Sequence, residues 1–382
     1  GLATIAILSS MVLVTLVGAA SIYAGKKDYL ASATPHDYSV AGNKVDLTST
    51  KKLMDDFLIK TGEQANEKVA VSYLLFGIKN QETNKLTVFT KNERKVVPKS
   101  IVLVFSQETF KQLTGKELNL SSNQIALYTK NKTLKTQKSL SIDGKNYQIH
   151  RQLGDFINKK IPNIYKIIVS DYSYLVVPDI KIFESSMKGT SITQATYVGV
   201  NVKNPTHDAK KNLDLLDQIA GEATKQLDSQ TTGVPVSYFS ANSRYDAEGM
   251  VNGFVGGTFF IGIFLSIIFM LGTVLVIYYK QISEGYEDRE RFVILQKIGL
   301  DDLQVKQTIR KQVLTVFFLP LIFSFIHLAF AYHMISLIVR IIGVLNPDLM
   351  LVVTIIVCGV FFLAYVLVFA LTSRSYRRIV SM

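Results

Sequence analysis

Side chains that could carry covalent or metal chemistry are few and widely spaced in this sequence. The hydrophilic middle of the chain holds His36, His150 and His207, and the single cysteine, Cys358, lies in an apolar run. Metal sites and nucleophilic centres need such residues at characteristic spacings. Neither those spacings nor a Gly-x-Ser-x-Gly motif occurs. The pattern favours scattered surface histidines over a membrane-anchored enzyme, and we expect no catalytic residue, metal or disulfide in this chain.

The sequence also lacks the common nucleotide-binding motif. The loop Gly-x-x-x-x-Gly-Lys-Ser/Thr, which cradles nucleotide phosphates, does not occur. We therefore expect no cofactor in this chain, and any ATP with its magnesium must be bound by a partner subunit. Nucleic acid is not among the expected partners.

The densest mixture of charged and apolar side chains lies between Tyr278 and Gln312. Gly299 is placed to end a helix with a left-handed cap, and Asp301 is placed to cap the next helix. The pattern predicts an elbow of helix, break and helix, with apolar side chains at three-residue spacing: Phe292, Leu295 and Ile298. Such an elbow suits docking against a soluble partner. The alternative is a surface helix lying on lipid head groups, which its nearly balanced charge makes less natural.

Four stretches are apolar for about 20 residues, enough to cross the hydrocarbon of a bilayer. We predict spans over Leu2–Ala24, Phe254–Tyr279, Val313–Val339 and Met350–Leu371. The first could instead be a signal peptide, but no basic segment precedes it and its apolar run is too long. With a mean hydropathy of +0.24 over 382 residues, the composition indicates part membrane and part aqueous domain.

Basic residues assign a side to each loop. The tail after Leu371 carries three arginines and no acid, and Lys280–Gln312 carries seven bases, so both are expected in the cytoplasm. The prediction is a multi-pass membrane protein with residues 25–251 extracellular. Its segments are a span at 1–24, an extracellular α+β domain at 25–251, a span at 252–279, a cytoplasmic coupling elbow at 280–312, a span at 313–339, a short extracellular turn at 340–349, a span at 350–371 and a basic tail at 372–382.

The predicted outer domain mixes helical and strand periodicity. Helices are expected over Thr50–Lys60 and, after Asp208 as N-cap, through Leu227. Asp143-Gly144 predicts a hairpin turn between Leu140–Ile142 and Tyr147–Ile149. Further strands are expected at Val69–Ile78, Leu86–Thr90, Ile101–Phe105, Ile125–Thr129, Ile164–Tyr174 and Tyr197–Val202.

The outer domain carries most of the net charge of +12, since 31 of the 42 basic and 23 of the 30 acidic residues lie within 25–251. One tract without acids holds Lys130, Lys132, Lys135 and Lys138. It could contact anionic ligands such as a lipid pyrophosphate carrier, anionic polymers or membrane lipids, or it could be an ordinary solvated surface.

Four residues in or beside the spans are candidates for packing or function. Gly253 and Gly257 form a small-xxx-small pair that allows close helix packing. Pro320 is expected to kink the third span. His327, in the same span, could relay protons or, as we favour, be a neutral side chain bonded to a neighbouring helix.

Several separated blocks resemble one family. YYKQISEGYEDRERFVILQKIGL, followed by IRKQVLTVFFLPL and IHLAFAYHM, is similar to the FtsX-type permeases of bacitracin-resistance ABC transporters from low-GC Gram-positive bacteria. GLATIAILSSMVLVTLVGAASIYAG resembles the span before their large outer domain. The resemblance covers about residues 1–25 and 250–382. The chain, opening on Gly1, is then expected to be the carboxy-terminal piece of such a permease, holding its last four of ten spans.

This resemblance implies function and partners. The permease would pair with an ABC ATPase dimer and often a sensor histidine kinase. It would protect against peptide antibiotics of the lipid II cycle, acting on the peptide, its lipid pyrophosphate target or both. Its coupling element would fall on Ser283, Glu284, Gly285, Glu287, Arg289, Arg291, Phe292, Leu295, Lys297 and Gly299. The alternative is an FtsX-like mechanotransmitter or receptor that regulates a cell-envelope partner without moving substrate.

Overall fold

The computed structural model describes residues 2–93, 98–162, 169, 171–203, 209–227, 237–297, 302–341, 344 and 346–380. Several helical residues within 284–316 and at 341 and 373–380 are described by their backbone alone. The chain divides into two compact units. The helical unit is Gly1–Lys27 with Asn252–Met382, and the sheet unit is Asp28–Val251. The predicted fold class, four membrane-length helices plus a separate α+β domain, is confirmed.

Four long helices contain the predicted spans. They are α1 (Leu2–Ala33), α7 (Arg244–Lys297), α8 (Asp302–Ile341) and α9 (Pro347–Val380). Each holds a segment long and apolar enough to cross a membrane. Half of the most apolar stretch of α1 is buried, against at most 22% for the other three, so α1 is the central helix among the described parts of this unit.

The described residues of the sheet unit form ten strands and five helices, besides the ends of the two long helices that enter it. The strands are β1 (Tyr38–Asn43), β2 (Ala65–Glu82), β3 (Lys85–Val88), β4 (Ser100–Ser106), β5 (Gln124–Thr129), β6 (Ser139–Ile142), β7 (Lys145–Gln152), β8 (Asp171–Val177), β9 (Ile192–Val202) and β10 (Tyr238–Ser243). The helices are α2 (Leu47–Thr61), α3 (Gln107–Thr114), α4 (Lys132–Lys135), α5 (Ile180–Ser186) and α6 (Ala209–Leu227), and a 3₁₀ turn spans Lys91–Glu93.

The sheet closes partly on itself because β2 is long enough to pair with β9 along one part and with β3 and β4 along another. The strand order is β10-β1-β9-β2-β3-β6-β7-β5-β8-β4, and β4 also pairs with β2. Strands β2, β3, β6, β7, β5, β8 and β4 therefore form a ring, while β9, β1 and β10 extend the sheet from β2 as a flank. The residues of β2 pair with β9 from Ala65 to Phe76 and with β4 from Leu74 to Ile78.

Alternation along the strands separates three apolar cores in the described part of the sheet unit. Leu74, Phe76 and Ile78 belong to the core shared with β3, β6 and α5, whereas Tyr73 faces a second core under α3. A third core lies beneath α2 and α6 on the flank. The adjacent residues Tyr73 and Leu74 enter different cores because successive side chains of a strand point to opposite faces of the sheet.

Most local predictions match these elements. The helix expected over Thr50–Lys60 lies inside α2, where Asp46 caps the amino terminus and Gly62 ends the helix at φ 71°. The Asp143-Gly144 turn joins β6 to β7 with positive φ at both residues. Five of the predicted strand runs lie on β2, β3, β4, β5 and β9. The sixth run reaches β8 at its end, while residues 163–168 and the predicted cap Asp208 lie outside the described residues.

Candidate functional site

The charged elbow continues α7 well beyond the apolar part of that helix. The backbone is helical as far as Lys297 and again from Asp302, with Gly299 and Asp301 outside the described residues. Ser283 and Glu287 are exposed, whereas Gly285 is buried. The remaining predicted coupling residues lie on helical backbone without described side chains: Glu284, Arg289, Arg291, Phe292, Leu295 and Lys297.

Two further apolar side chains are exposed on the elbow. Tyr286 and Ile294 are each 58% exposed. Their spacing of eight residues, with Ser283 and Glu287 beside the first, puts all four on one helical face. The apolar spacing that singled out Phe292 and Leu295 did not identify this face, since exposure of an apolar residue is not visible in sequence. The elbow therefore presents exposed apolar side chains, with the charged Glu287 beside them, that a partner protein could contact.

Small and polar residues hold α1 against its neighbours. A Cβ built on Gly262 of α7 would lie 2.4 Å from Cβ of Ala19. One turn further, Oγ1 of Thr15 and Oγ of Ser266 are 2.8 Å apart. Ser324 of α8 donates to the carbonyl oxygen of Ala6 at 3.1 Å. Close backbone approach and interhelical hydrogen bonds are the main attractions between helices in lipid, so this seam fixes α1 between α7 and α8.

The glycines predicted to pack lie elsewhere on α7. Nothing described comes within 4 Å of a Cβ built on Gly253 or Gly257, and both residues are exposed. Packing through this pair stays a prediction, and it would require a helix outside the described residues.

An apolar groove of about 840 Å³ opens between α1, α7 and α8. Pro320 lines it and is buried, and α8 remains helical through that residue. His327 also lines the groove and is exposed. Among the described lining residues it is the one ionisable side chain, beside the hydroxyls of Ser10 and Thr15. Its predicted bond to a neighbouring helix is not seen among the described residues and stays a prediction, as does the kink.

The lysine tract forms one exposed loop of the sheet unit. Asn131 caps the short helix α4 through its side-chain oxygen, and Leu134 anchors that helix in the core shared with β3 and β6. Lys130, Lys132, Lys135 and Lys138 are all exposed. We call these four residues the basic loop. Lys85, which follows the β2–β3 turn and pairs through its strand with Ser141, adds an exposed base near the same end of the ring.

Arg244, the first residue of α7, bonds the chain that follows α1. Its Nε donates to the carbonyl oxygen of Thr34 at 3.1 Å, and its Nη2 donates to the carbonyl oxygen of Pro35. Its Nη1 lies 3.3 Å from Oδ1 of Asp37. The backbone amide of Arg244 also donates to the carbonyl oxygen of Asp37 at 2.9 Å. We call this ion pair, with its carbonyl bonds, the clasp.

His36 lies beside the clasp and is 3% exposed. Its Nδ1 is 2.8 Å from the phenol oxygen of Tyr197, which is also buried. Burial, opposed by Glu67 and reinforced by Arg244, lowers the pKa of His36 to about 4. Burial likewise raises the pKa of Tyr197. The pair is therefore neutral near pH 7 and serves as a hydrogen-bonded part of the core.

The other candidates for chemistry do not come together. His150 is exposed on β7, His207 lies outside the described residues, and Cys358 is half-buried on α9. Among the described residues, no three histidine, cysteine, aspartate or glutamate side chains are grouped to hold a metal. The candidate functional features are therefore the packed seam between α1, α7 and α8, the charged elbow, the clasp and the basic loop.

Comparisons with known proteins point to one class. No family model matches the chain. It is 35% identical over 72 residues to the ABC transporter permease protein YxdM of Bacillus subtilis (strain 168), 19% of this chain and 12% of that protein. It is 30% identical over 121 residues to the uncharacterized ABC transporter permease YvcS, 32% and 18% of the two chains. It is 26% identical over 140 residues to the bacitracin export permease protein BceB, 37% and 19%; both are from the same organism.

Each of these matches spans less than a fifth of the relative's length. A crystal structure of a lipoprotein from Bacillus anthracis covers 47% of this chain and 92% of its own, at 12% identity. Its TM-score of 0.26 is too low to carry an argument. The permease matches and the four apolar helices together indicate a membrane protein similar to ABC transporter permeases.

Proposed function

We propose that this chain, similar to three ABC transporter permeases, is the carboxy-terminal part of an FtsX-type permease subunit that confers resistance to cell-wall-targeting antimicrobial peptides. The observation that carries the proposal is the match to a permease described as exporting bacitracin, in a chain with four membrane-length helices. The separate α+β unit, inserted between the first helix and the other three, adds support.

The proposed orientation puts residues 25–251 outside the cell. The excess of arginine and lysine in 280–312 and 372–382 supports a cytoplasmic elbow and tail. The short turn at 340–349 is then outside as well. The segment bounds remain those derived from the sequence, with spans at 1–24, 252–279, 313–339 and 350–371.

Energy enters through the elbow in this proposal. A dimer of ATPase subunits binds ATP and magnesium, and this chain has no enzyme activity of its own. The elbow face of Ser283, Tyr286, Glu287 and Ile294 docks on the ATPase together with Phe292. Closure of the ATPases on ATP then favours one of two positions of α7, which is a population shift biased by nucleotide.

The sheet unit is proposed to contact the substrate or its lipid target. The basic loop supports contact with anionic groups, and a lipid pyrophosphate carrier or a peptide antibiotic bound to one would supply them. The permease is proposed to signal its transport activity to a sensor histidine kinase. Release of the lipid target would give protection through the lipid II cycle without passage of the peptide through the membrane.

A mechanotransmitter that moves no substrate is the second candidate. The observation that favours it is the apolar lining of the described groove, where Ser10, Thr15 and His327 are the polar residues. A cationic peptide would find no polar path along such a surface. The two candidates differ in whether protection requires ATP hydrolysis or only signalling.

The decisive experiment changes the elbow in the permease co-expressed with its ATPase. Phe292→Asp is expected to abolish peptide resistance while the permease still reaches the membrane, because a buried carboxylate opposes docking. Lys116→Ala, a change at an exposed position of the sheet unit outside the proposed docking face and the basic loop, is the control and should keep resistance within about twofold, in line with surface substitutions. Normal co-purification of the ATPase with Phe292→Asp would contradict the docking role. Resistance that survives a hydrolysis-deficient ATPase would favour the signalling candidate.

A further inference from the structure

The clasp joins two parts of the sheet unit that are distant in sequence. The chain leaving α1 passes through Thr34 and Pro35 into β1, and α7 begins directly after β10. Strands β1 and β10 are antiparallel neighbours, with Tyr38 opposite Ser243. Arg244 bonds the α1 side through three acceptors, so the two helix ends and two strands are connected by a guanidinium as well as by the strand ladder.

Hydrogen bonds continue from the clasp to the strand that both halves of the sheet share. Oδ2 of Asp37 accepts from the amide of Val202 on β9 at 3.0 Å, and the amide of Asp37 donates to Oδ1 of Asn201 at 3.1 Å. Nδ2 of Asn201 then donates to Oε2 of Glu67 on β2 at 2.8 Å. The Asp37 side chain is 12% exposed, so its bonds to Arg244 and Val202 are only weakly screened by water.

From Glu67, β2 continues into the ring. Its 18 residues reach about 55 Å at the usual rise of a strand. It pairs with β9 near Glu67, with β4 between Leu74 and Ile78, and with β3 up to Glu82. The turn after Glu82 lies at the end of the ring that carries Lys85. Asn131, which lies between Lys130 and Lys132 of the basic loop, donates from Nδ2 to Oε1 of Gln81 at 3.4 Å.

We infer that the Asp37–Arg244 clasp is a closed joint that makes β1, β10, the chain between Ala33 and β1 and the first turn of α7 move as one body within the sheet unit, and that β2 transmits this movement to the ring and the basic loop. Asp37 and Arg244 are positioning residues in this scheme. The inference rests on the proposed function, because a driven α7 is what supplies the movement. A ladder of paired strands suits the task because it resists stretching and shear together.

The first test measures the connection without using transport. Amide hydrogen exchange is compared for the full chain in lipid nanodiscs as wild type, Arg244→Ala and the exposed control Arg151→Ala. Arg244→Ala is expected to speed exchange at least tenfold at Val202 and along Glu67–Ser72, and Arg151→Ala is expected to change neither. Unchanged exchange on β2 in Arg244→Ala would overturn the inference. Asp37→Asn, which can still accept from Val202, serves if Arg244→Ala does not accumulate, and it should show the same pattern with smaller size.

The second test asks whether the joint stays closed during function. Ala41→Cys with Ser240→Cys, in a Cys358→Ser background, places cysteines at directly opposed positions of β1 and β10. In cells that also express the ATPase, the oxidised pair is expected to keep peptide resistance within twofold of the reduced pair. It is also expected to restore resistance to Arg244→Ala, which alone should lose at least tenfold.

The outcomes separate the inference from the proposed function. Resistance that disappears on oxidation and returns with reductant would show that β1 and β10 must separate, and the inference would be wrong. Wild-type resistance in Arg244→Ala at normal membrane level would equally overturn it. If the wild-type permease gives no ATP-dependent resistance, the proposed function fails, while the exchange experiment still decides whether the clasp is connected to β2.

Discussion

Nδ1 of His36 and the phenol oxygen of Tyr197 lie 2.8 Å apart in the interior of the sheet unit, although 161 residues separate them. A Cβ at Gly199, two residues after Tyr197, would come within 2.4 Å of that same nitrogen. The ring therefore fits because β9 carries no side chain at this point. The charged groups facing it are Glu67, Arg244 and Asp37, and burial, reinforced by Arg244, outweighs the two carboxylates in keeping His36 neutral.

Acid should destabilise the sheet unit through His36. Its pKa is about 4 when folded and 6.5 ordinarily, so the unfolded chain takes up the proton first. The contribution to stability is complete above pH 6.5 and is lost as the pH falls towards 4, for a total of about 3 kcal/mol. Unfolding free energies of the chain measured across this range should fall less steeply for His36→Gln. The exposed His150→Gln is the control, and equal pH slopes for all three proteins would contradict the prediction.

Gly199→Ala should be costly. The new methyl would collide with the imidazole of His36 and with the Tyr197 hydroxyl, 2.7 Å away, and both belong to a packed interior. Overpacking of this kind costs about 1–3 kcal/mol. Thermal unfolding of the chain would show it, compared with Gly154→Ala, where nothing described lies within 4 Å of the added atom. A variant as stable as Gly154→Ala would mean that His36 can move aside freely.

Gly262→Val should weaken the seam between α1 and α7. The valine Cβ would collide with Ala19 at a close helix contact, while nothing described lies within 4 Å of the Cβ that Gly257→Val adds. Both changes have the same helix propensity cost, so their difference isolates packing. We expect the first to be less stable than the second by about 1–3 kcal/mol in detergent unfolding. Equal stabilities would show that the two helices do not approach closely at this point.

The basic loop should bind polyanions by charge. Lys132→Glu with Lys135→Glu is expected to reduce affinity for fluorescent polyphosphate at least about 30-fold at low salt, since each lysine near an anionic surface contributes about 1 kcal/mol. The chain would be held in neutral nanodiscs for the titration. Lys181→Glu with Lys188→Glu makes the same charge change at exposed positions on or next to α5. Equal losses in both pairs would mean that the loop is an ordinary solvated surface, and binding that ignores added salt would exclude a charge mechanism.

Features that are determined by residues close together in the sequence could be predicted from it. The four membrane-length helices follow from runs of apolar residues, since crossing a bilayer is a matter of length and hydropathy. The Asp143-Gly144 hairpin follows from residues that tolerate positive φ. The helix α6 follows from the spacing of Leu213, Leu216 and Ala220. Strands β1 and β10 were not predicted, because YSVAGN and YFSANS have weak strand character and acquire their conformation by pairing.

Tertiary structure alone decided which distant residues meet. No spacing rule connects Asp37 with Arg244, or His36 with Tyr197, and the ring closes because β2 pairs with both β3 and β4. It also showed that Gly262, rather than Gly253 or Gly257, is where α7 packs tightly among the described residues. Hydropathy and turn preference act over a few residues, whereas burial, ion pairing and close packing depend on what folding brings alongside, and that is determined by the whole chain at once.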